Sequence, residues 1–231
     1  MLTLFLLSAF AAPSLEGTWA LEMRAVSASQ VPVLGDVRSI TRTGVLVHLE
    51  PDGDAWVQQH RPCGSSIDGG AFVKTRIPDA YFERVRPKTL APQVHDDGRF
   101  VVDIQRFTGG WDPSACDAVP TTTDDPCVRD WDDDGKPGIT IEVKAPLIPW
   151  AEVYVAQKTH PFLDGHIVHD DLVEGHMTML ELDNRVLGAS NRLFHGQPRT
   201  RSVDEASTFR MERLPDDARC SDVLEHLALE R

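Results

Sequence analysis

Between residues 130 and 138 the chain reads Asp130-Trp131-Asp132-Asp133-Asp134-Gly135-Lys136-Pro137-Gly138, with a carboxylate at every second position from 130 to 134. Alternating side chains on a backbone that turns around a point can aim three carboxylates at it. Carboxylates brought together repel one another, which favours protonation or a cation between them. Calcium suits this geometry, because it accepts about six to eight oxygen ligands in a flexible cage. Gly135 permits the sharp bend, and the Lys136 carbonyl supplies the next oxygen. Magnesium suits it less, since it keeps its waters and seldom uses a dedicated protein cage. The competing reading is a solvated acidic turn. We expect a calcium ion at Asp130, Asp132, Asp134 and Lys136, stabilising rather than catalytic.

The stretch resembles positions one, three, five, six and seven of an EF-hand-type loop. It is similar also to the D-x-D-x-D-G loops of thrombospondin type 3, dockerin and integrin-like repeats. Position twelve, a bidentate Glu in EF-hands, is Ile141 here, and Glu142 comes one residue late. Position nine is Gly138, which leads straight into an apolar alternation where an EF-hand has a helix. Further ligands must come from elsewhere, and Asp124 or Asp125, across the Cys116–Cys127 loop, are nearest in sequence.

Charge supports a cation here. The net charge is −13, and residues 109–137 hold eight Asp against Arg129 and Lys136, so this segment contributes −6 of it. Such a balance argues against nucleic acid or an anionic membrane as partner. The four cysteines form no C-x-x-C spacing, which disfavours zinc. An even count reads as two disulfides with three connectivities. We favour Cys116–Cys127, closing the acidic loop, and Cys63–Cys220, tying down the C-terminus. That chemistry fits export. Leu2–Leu7 is apolar, and Ala9 and Ala11 give the A-x-A spacing of a signal-peptide site, so cleavage is expected before Ala12. No Lys or Arg precedes the apolar run, and a buried N-terminal strand is the alternative. No segment is long and apolar enough to span a bilayer as a helix.

The elements that must position the acidic loop are strands. Ile139, Ile141, Val143 and Ala145 alternate with polar residues directly after it. Val45, Val47 and Leu49 share a face, as do Phe100, Val102 and Ile104, and Phe209 and Met211. Polar residues opposite imply antiparallel sheet with one wet face, or a barrel. Pro51-Asp52-Gly53-Asp54, Asp96-Asp97-Gly98 and Asp183-Asn184 read as hairpin turns, the last setting Leu180 opposite Leu187. Helix is scarce: one turn at Pro78–Phe82, and a short C-terminal helix capped by Ser221 with Leu224, Leu227 and Ala228 on one side. The expected fold is one all-β domain over 12–231, an antiparallel barrel of roughly eight to ten strands, with a β-sandwich as alternative.

Near the start stands Gly17-Thr18-Trp19, followed by the alternating Leu21 and Met23. This resembles the G-x-W opening of lipocalin-like barrels. The resemblance implies that Trp19 plugs the closed end, that Arg210 on the last strand packs over it, and that the barrel mouth holds a small apolar ligand. It covers the two chain ends only, and the family's central T-D-x-x-Y-type motif has no counterpart here.

Other constellations carry less. His160, His166, His169 and His176, with Asp170, Asp171 and Glu174 between them, have metal-ligand chemistry, but in a strand His166 and His169 point to opposite faces. No G-x-S-x-G or phosphate-binding glycine loop occurs. Trp56, Trp111 and Trp150 read as core or loop anchors before pocket walls. The expected function is an exported, calcium-stabilised barrel binding a small apolar ligand or a protein partner at its surface. An exported hydrolase using carboxylates or the histidines, and a structural or adhesive surface domain, are the alternatives. A large internal cavity beside Trp19 would support the apolar-ligand reading; a barrel filled with side chains would sink it.

Overall fold

The computed structural model describes residues 14–31, 35–70, 74–145 and 148–229; the segment 1–11, expected to be a signal peptide, lies outside them. Thirteen strands form one antiparallel sheet. They are β1 (Gly17–Val31), β2 (Gly35–Asp52), β3 (Ala55–Asp68), β4 (Lys74–Arg76), β5 (Lys88–Leu90), β6 (Gln93–Val94) and β7 (Arg99–Asp103). After these come β8 (Phe107–Gly109), β9 (Ile139–Ala145), β10 (Ile148–His169), β11 (Leu172–Ala189), β12 (Arg199–Ser202) and β13 (Thr208–Leu214). The order β11-β13-β1-β2-β3-β4-β9-β10 returns to β11 through the long β10–β11 pairing, so eight strands make a ring. Two short helices, α1 (Asp79–Arg84) and α2 (Cys220–His226), complete the chain.

The alternating pattern places the core where expected. Trp19 stands opposite Val47 and Leu21 opposite Val45, and on the other side Leu21 meets Met211. These side chains, with Leu49, Phe100, Val102, Leu163, Val173 and Phe209, fill the ring around Trp19, which is fully buried. Truncating such a buried aromatic typically costs about 3–5 kcal/mol. The Trp19 indole N–H donates to the Leu15 carbonyl.

The arginine over Trp19 is Arg213, not Arg210. Arg213 lies directly across the β1–β13 ladder from Trp19, whereas Arg210 faces Glu22 and pairs with Glu212. The strand runs Thr208–Leu214, so Arg213 shares the inward face of Phe209 and Met211, while Arg210 between them faces out.

The Pro51–Asp54 and Asp96–Gly98 turns form as expected, with φ of 62° at Gly53 and 82° at Gly98. Asp183-Asn184 does not turn. It lies inside β11, opposite Lys158 and Gln157, and the chain reverses instead at Asp170-Asp171. Continuous pairing with the 22-residue β10 overrides the local turn preference. Leu180 is therefore exposed rather than paired with Leu187.

Both expected disulfides are present, Cys63–Cys220 and Cys116–Cys127. The first anchors α2 to the outer face of β1–β3, where Val223, Leu224 and Leu227 pack on Ala20 and Leu46. Gly64 makes the approach possible, since a Cβ there would stand 2.7 Å from Leu224. The helix cap is Arg219 rather than Ser221, because the bridged Cys220 already belongs to the first turn; the Asp222 carboxylate accepts the Arg219 N–H at 2.7 Å. The helix buries Leu224 and Leu227 as expected, but with Val223 and Leu229 in place of exposed Ala228. No helix among the described residues is long and apolar enough to cross a membrane.

Candidate functional site

The acidic loop is pinched at its base. Trp131 N–H donates to the Gly138 carbonyl and Gly138 N–H to that of Arg129, each at 2.9 Å. Gly138 has φ +84°, and a Cβ on it would stand 2.6 Å from the Val155 carbonyl, so only glycine lets the loop seat on β10. Asp133 and Gly135 adopt φ of 62° and 81°, which turns the chain between the alternating carboxylates.

Carboxylate oxygens of Asp130, Asp132 and Asp134 lie within 4.8 Å of one another. Their hydrogen bonds orient them. Asp130 accepts from the N–H groups of Asp134 and Gly135 at 3.2 and 2.9 Å. Asp134 accepts from Lys136 N–H at 2.8 Å and from the Thr140 hydroxyl at 2.6 Å. Asp132 accepts from Thr140 N–H at 3.0 Å through Oδ2. Its other oxygen, Oδ1, is buried without a hydrogen-bond partner among the described residues, and the residue is only 5% exposed. Burial, with the charges of Asp134 and Asp130 adding to it, raises the Asp132 pKa above the ordinary carboxylate range against the lowering pull of the Thr140 N–H. A buried, unpaired carboxylate oxygen beside two other carboxylates is the chemistry a divalent cation compensates.

At Lys136 the expected ligand is the backbone carbonyl, and the side chain is engaged elsewhere, with Nζ 2.5 Å from Glu152 and 3.9 Å from Asp134. Asp125 lies at the Cys116–Cys127 bridge, where its Oδ1 accepts the Cys127 N–H at 3.2 Å. Its grouping with these two sulfurs is not a metal site, because a disulfide leaves no thiolate to ligate. The bridge anchors the loop: Cys127 and Trp111 pack with Ala156 and Leu187 on the outside of β10–β11. Among the described residues the four histidines form no metal-ligand group. His160 pairs with Asp103 at 2.6 Å, while His166, opposite Glu174, and His176, opposite Asp164, share one face of the β10–β11 pair.

The second feature is a cavity of about 260 Å³ inside the ring, whose lining residues sequence reasoning did not name. Ser29, Val37, Ile67, Thr75, Ile141 and Val153, with Val186 on β11, bring in seven of the eight ring strands. Leu193 and Phe194, following β11, close one side. The cavity lies away from Trp19, whose surroundings are packed, at the end of the ring where β1 and β2 carry Ser29 and Ser39 in place of large apolar residues. Trp56, Trp111 and Trp150 do not line it. Ile141, Val143, Val153, Val186 and Phe194 belong to the cluster that also holds Trp131, so one apolar layer joins the cavity wall to the acidic loop.

A polar pair inside the ring was also unforeseen. Gln58 and His60 face inward from β3, opposite Leu49 and Val47, and are buried and hydrogen-bonded to each other. Burial, and to a lesser degree the Lys88 charge beside it, lowers the His60 pKa to about 3. The Lys88 ammonium donates to the carbonyls of Ile104, Gln105 and Arg106.

Compared with protein-family models, curated proteins and solved structures, the chain finds no match.

Proposed function

We propose that this chain is an exported, calcium-stabilised β-barrel that holds a small apolar ligand inside its ring, as a lipocalin-like reading implies. The observation that carries the binding function is the cavity of about 260 Å³, bounded by seven ring strands and lined mainly by aliphatic side chains. Binding sites for small molecules are of this kind, largely apolar and slightly larger in most cases. Arg213 stacked on Trp19 supports the same reading, because it belongs to the packed end of the ring, away from the cavity. The two disulfides fit an oxidising, exported setting.

Calcium enters as a brace. Asp130, Asp132 and Asp134 would hold it, with the Lys136 carbonyl as backbone ligand, and the ion would fix a loop that packs on the cavity wall through Trp131. Each carboxylate oxygen keeps a lone pair beyond its N–H bond, so the bonds that orient the cluster leave it able to ligate.

Titration with the neutral fluorophore N-phenyl-1-naphthylamine tests the cavity. The wild-type protein should bind one equivalent saturably, and Ile141→Phe, which fills the cavity from β9, should weaken binding at least tenfold. Equal affinity in both proteins, or no saturable binding in the wild type, would remove the apolar-ligand function.

A further inference from the structure

We propose that the cavity end of the ring docks on an anionic lipid bilayer, with Trp150 and Leu193 among the headgroups and unpaired basic side chains against the phosphates. This is independent of whether the cavity holds a ligand.

The two ends of the ring differ in charge. At the packed end, beside Trp19, the chain reverses through Pro51–Asp54, Asp96–Gly98, Asp170-Asp171 and Asp216-Asp217, each with a pair of exposed aspartates. Arg99 and Arg213 near that end are paired with carboxylates. At the cavity end β1 passes to β2, β3 to β4, β9 to β10 and β11 to β12. There Arg38, Lys74, Lys144, Arg192, Arg199 and Arg201 are exposed, and among the described residues none of them forms an ion pair. Glu142 and Glu152 are taken by Arg76 and Lys136, which leaves Asp36 and Asp68 as the carboxylates of these strand ends. The net charge of −13 hides this polarity; repulsion from an anionic surface acts on the packed end and turns the basic end toward it.

Register points the basic side chains outward. Arg201 of β12 stands opposite Ala28 of β1, and Ala28 opposite Arg38 of β2, so the three share a face. It is the face of Ala20, the outer one on which α2 packs. Arg199 lies two residues before Arg201 and joins them, and a hollow of about 660 Å³ is lined by all three arginines with Gln30. Across the ring, Ile141 and Val143 line the cavity, so Lys144 points out, directly opposite Lys74. Like charges set opposite one another cost stability. A fold that keeps them unneutralised at one end presents them to anions from outside, and arginine forks bind phosphate in bidentate fashion.

Apolar side chains stand among these charges. Trp150 and Leu193 are 50% and 48% exposed. The Lys144 ammonium lies 6.0 Å from the centroid of a Trp150 ring, and Leu193 stands at the cavity rim beside Arg192. An indole at headgroup depth with an ammonium reaching the phosphates is the arrangement a bilayer interface favours. The aspartate turns of a second copy would meet the charges but not the apolar groups. Of the large exposed hydrophobics only Val168 lies near those turns, so Trp150 and Leu193 would face carboxylates. A bilayer takes both.

Flotation of the oxidised protein with vesicles of phosphatidylglycerol and phosphatidylcholine, against phosphatidylcholine alone, tests this face. Binding should require phosphatidylglycerol, weaken as salt is raised, and fall on the order of tenfold in Arg199→Gln/Arg201→Gln. Trp150→Ser keeps every charge and should also fall on the order of tenfold. Arg99→Gln/Arg210→Gln, the same loss of charge away from the cavity end, should bind as the wild type does. No binding to phosphatidylglycerol, or equal losses in the two arginine pairs, would overturn the proposal. Binding that needs calcium and survives Arg199→Gln/Arg201→Gln would also overturn it, assigning the contact to calcium bridges from the acidic loop. Self-association without lipid that the same variant loses would replace the bilayer by the aspartate end of a second copy. Binding of N-phenyl-1-naphthylamine reads the cavity separately, and its presence or absence leaves these outcomes unchanged.

Discussion

The Arg213 guanidinium lies over the Trp19 indole, its central carbon 4.3 Å from the ring centroid. From there Arg213 donates to the carbonyls of Ser14, Glu16 and Asp170 and to the Asp171 carboxylate, at 2.6 to 2.8 Å. One side chain thus ties the segment entering β1, the turn between β10 and β11, and β13 to the plug of the ring. A cation over an indole face, with its N–H groups spent on carbonyls at the edge, needs the planar, permanently charged fork of arginine.

Arg213→Ala should cost about 2–3 kcal/mol, since it removes the cation–π contact and leaves several carbonyls without their donor. Arg210→Ala should fall within about 0.5 kcal/mol of wild type, because its exposed pair with Glu212 is worth little. Urea unfolding of both variants checks the order; equal losses would place the sealing arginine wrongly.

The acid side of the stability curve should reflect His60. Its folded-state pKa of about 3 lies below its ordinary value of 6.5, so the unfolded chain binds the extra proton between those values. Stability from this group is therefore complete above pH 6.5 and is lost as pH falls toward 3, by an amount on the order of 4 kcal/mol at the acid end. His60→Asn, which leaves Gln58 a polar partner, should flatten the slope between pH 6.5 and 4. An unchanged slope would show that the imidazole is not held neutral.

The two disulfides should differ in weight. Cys63 and Cys220 are separated by 157 residues and Cys116 and Cys127 by 11. Constraint of the unfolded chain grows with the closed loop, to about 5 kcal/mol for the long one and about 3 kcal/mol for the short one. Cys63→Ser/Cys220→Ser should have the lower urea midpoint. It should also release α2, exposing the Ala20–Leu46 face to a hydrophobic dye, which the Cys116→Ser/Cys127→Ser protein should not do.

The legible parts of this molecule were those written in local alternation. Val45, Val47, Leu49, Phe100, Val102 and Met211 reach the core because a period of two fixes which face they take, and both disulfides followed from loop length and cysteine parity. The Asp130–Asp132–Asp134 cluster was legible for the same reason. What was not legible depends on register across strands distant in sequence. Arg213 and not Arg210 meets Trp19 because β13 begins at Thr208 and pairs Leu214 with Thr18. Asp183-Asn184 has turn chemistry, yet the length of β10 keeps β11 straight. The cavity is assembled by seven strands and has no local signature at all. The burial of Asp132 was likewise hidden, because it depends on Thr140 and Gly138 closing over the loop.

Thermal unfolding of the oxidised protein in calcium and in chelator, with Asp132→Asn beside it, tests the proposed calcium brace most directly. Calcium at about a hundredfold its dissociation constant adds about 2.7 kcal/mol, so the wild-type midpoint should rise by on the order of 5 °C or more. Asp132→Asn keeps the side-chain volume and removes one of three crowded charges; it should lose the calcium response and melt in chelator no lower than the wild type. A wild-type midpoint that is the same in calcium and in chelator, or a response that Asp132→Asn retains in full, would contradict a structural ion at Asp130, Asp132 and Asp134.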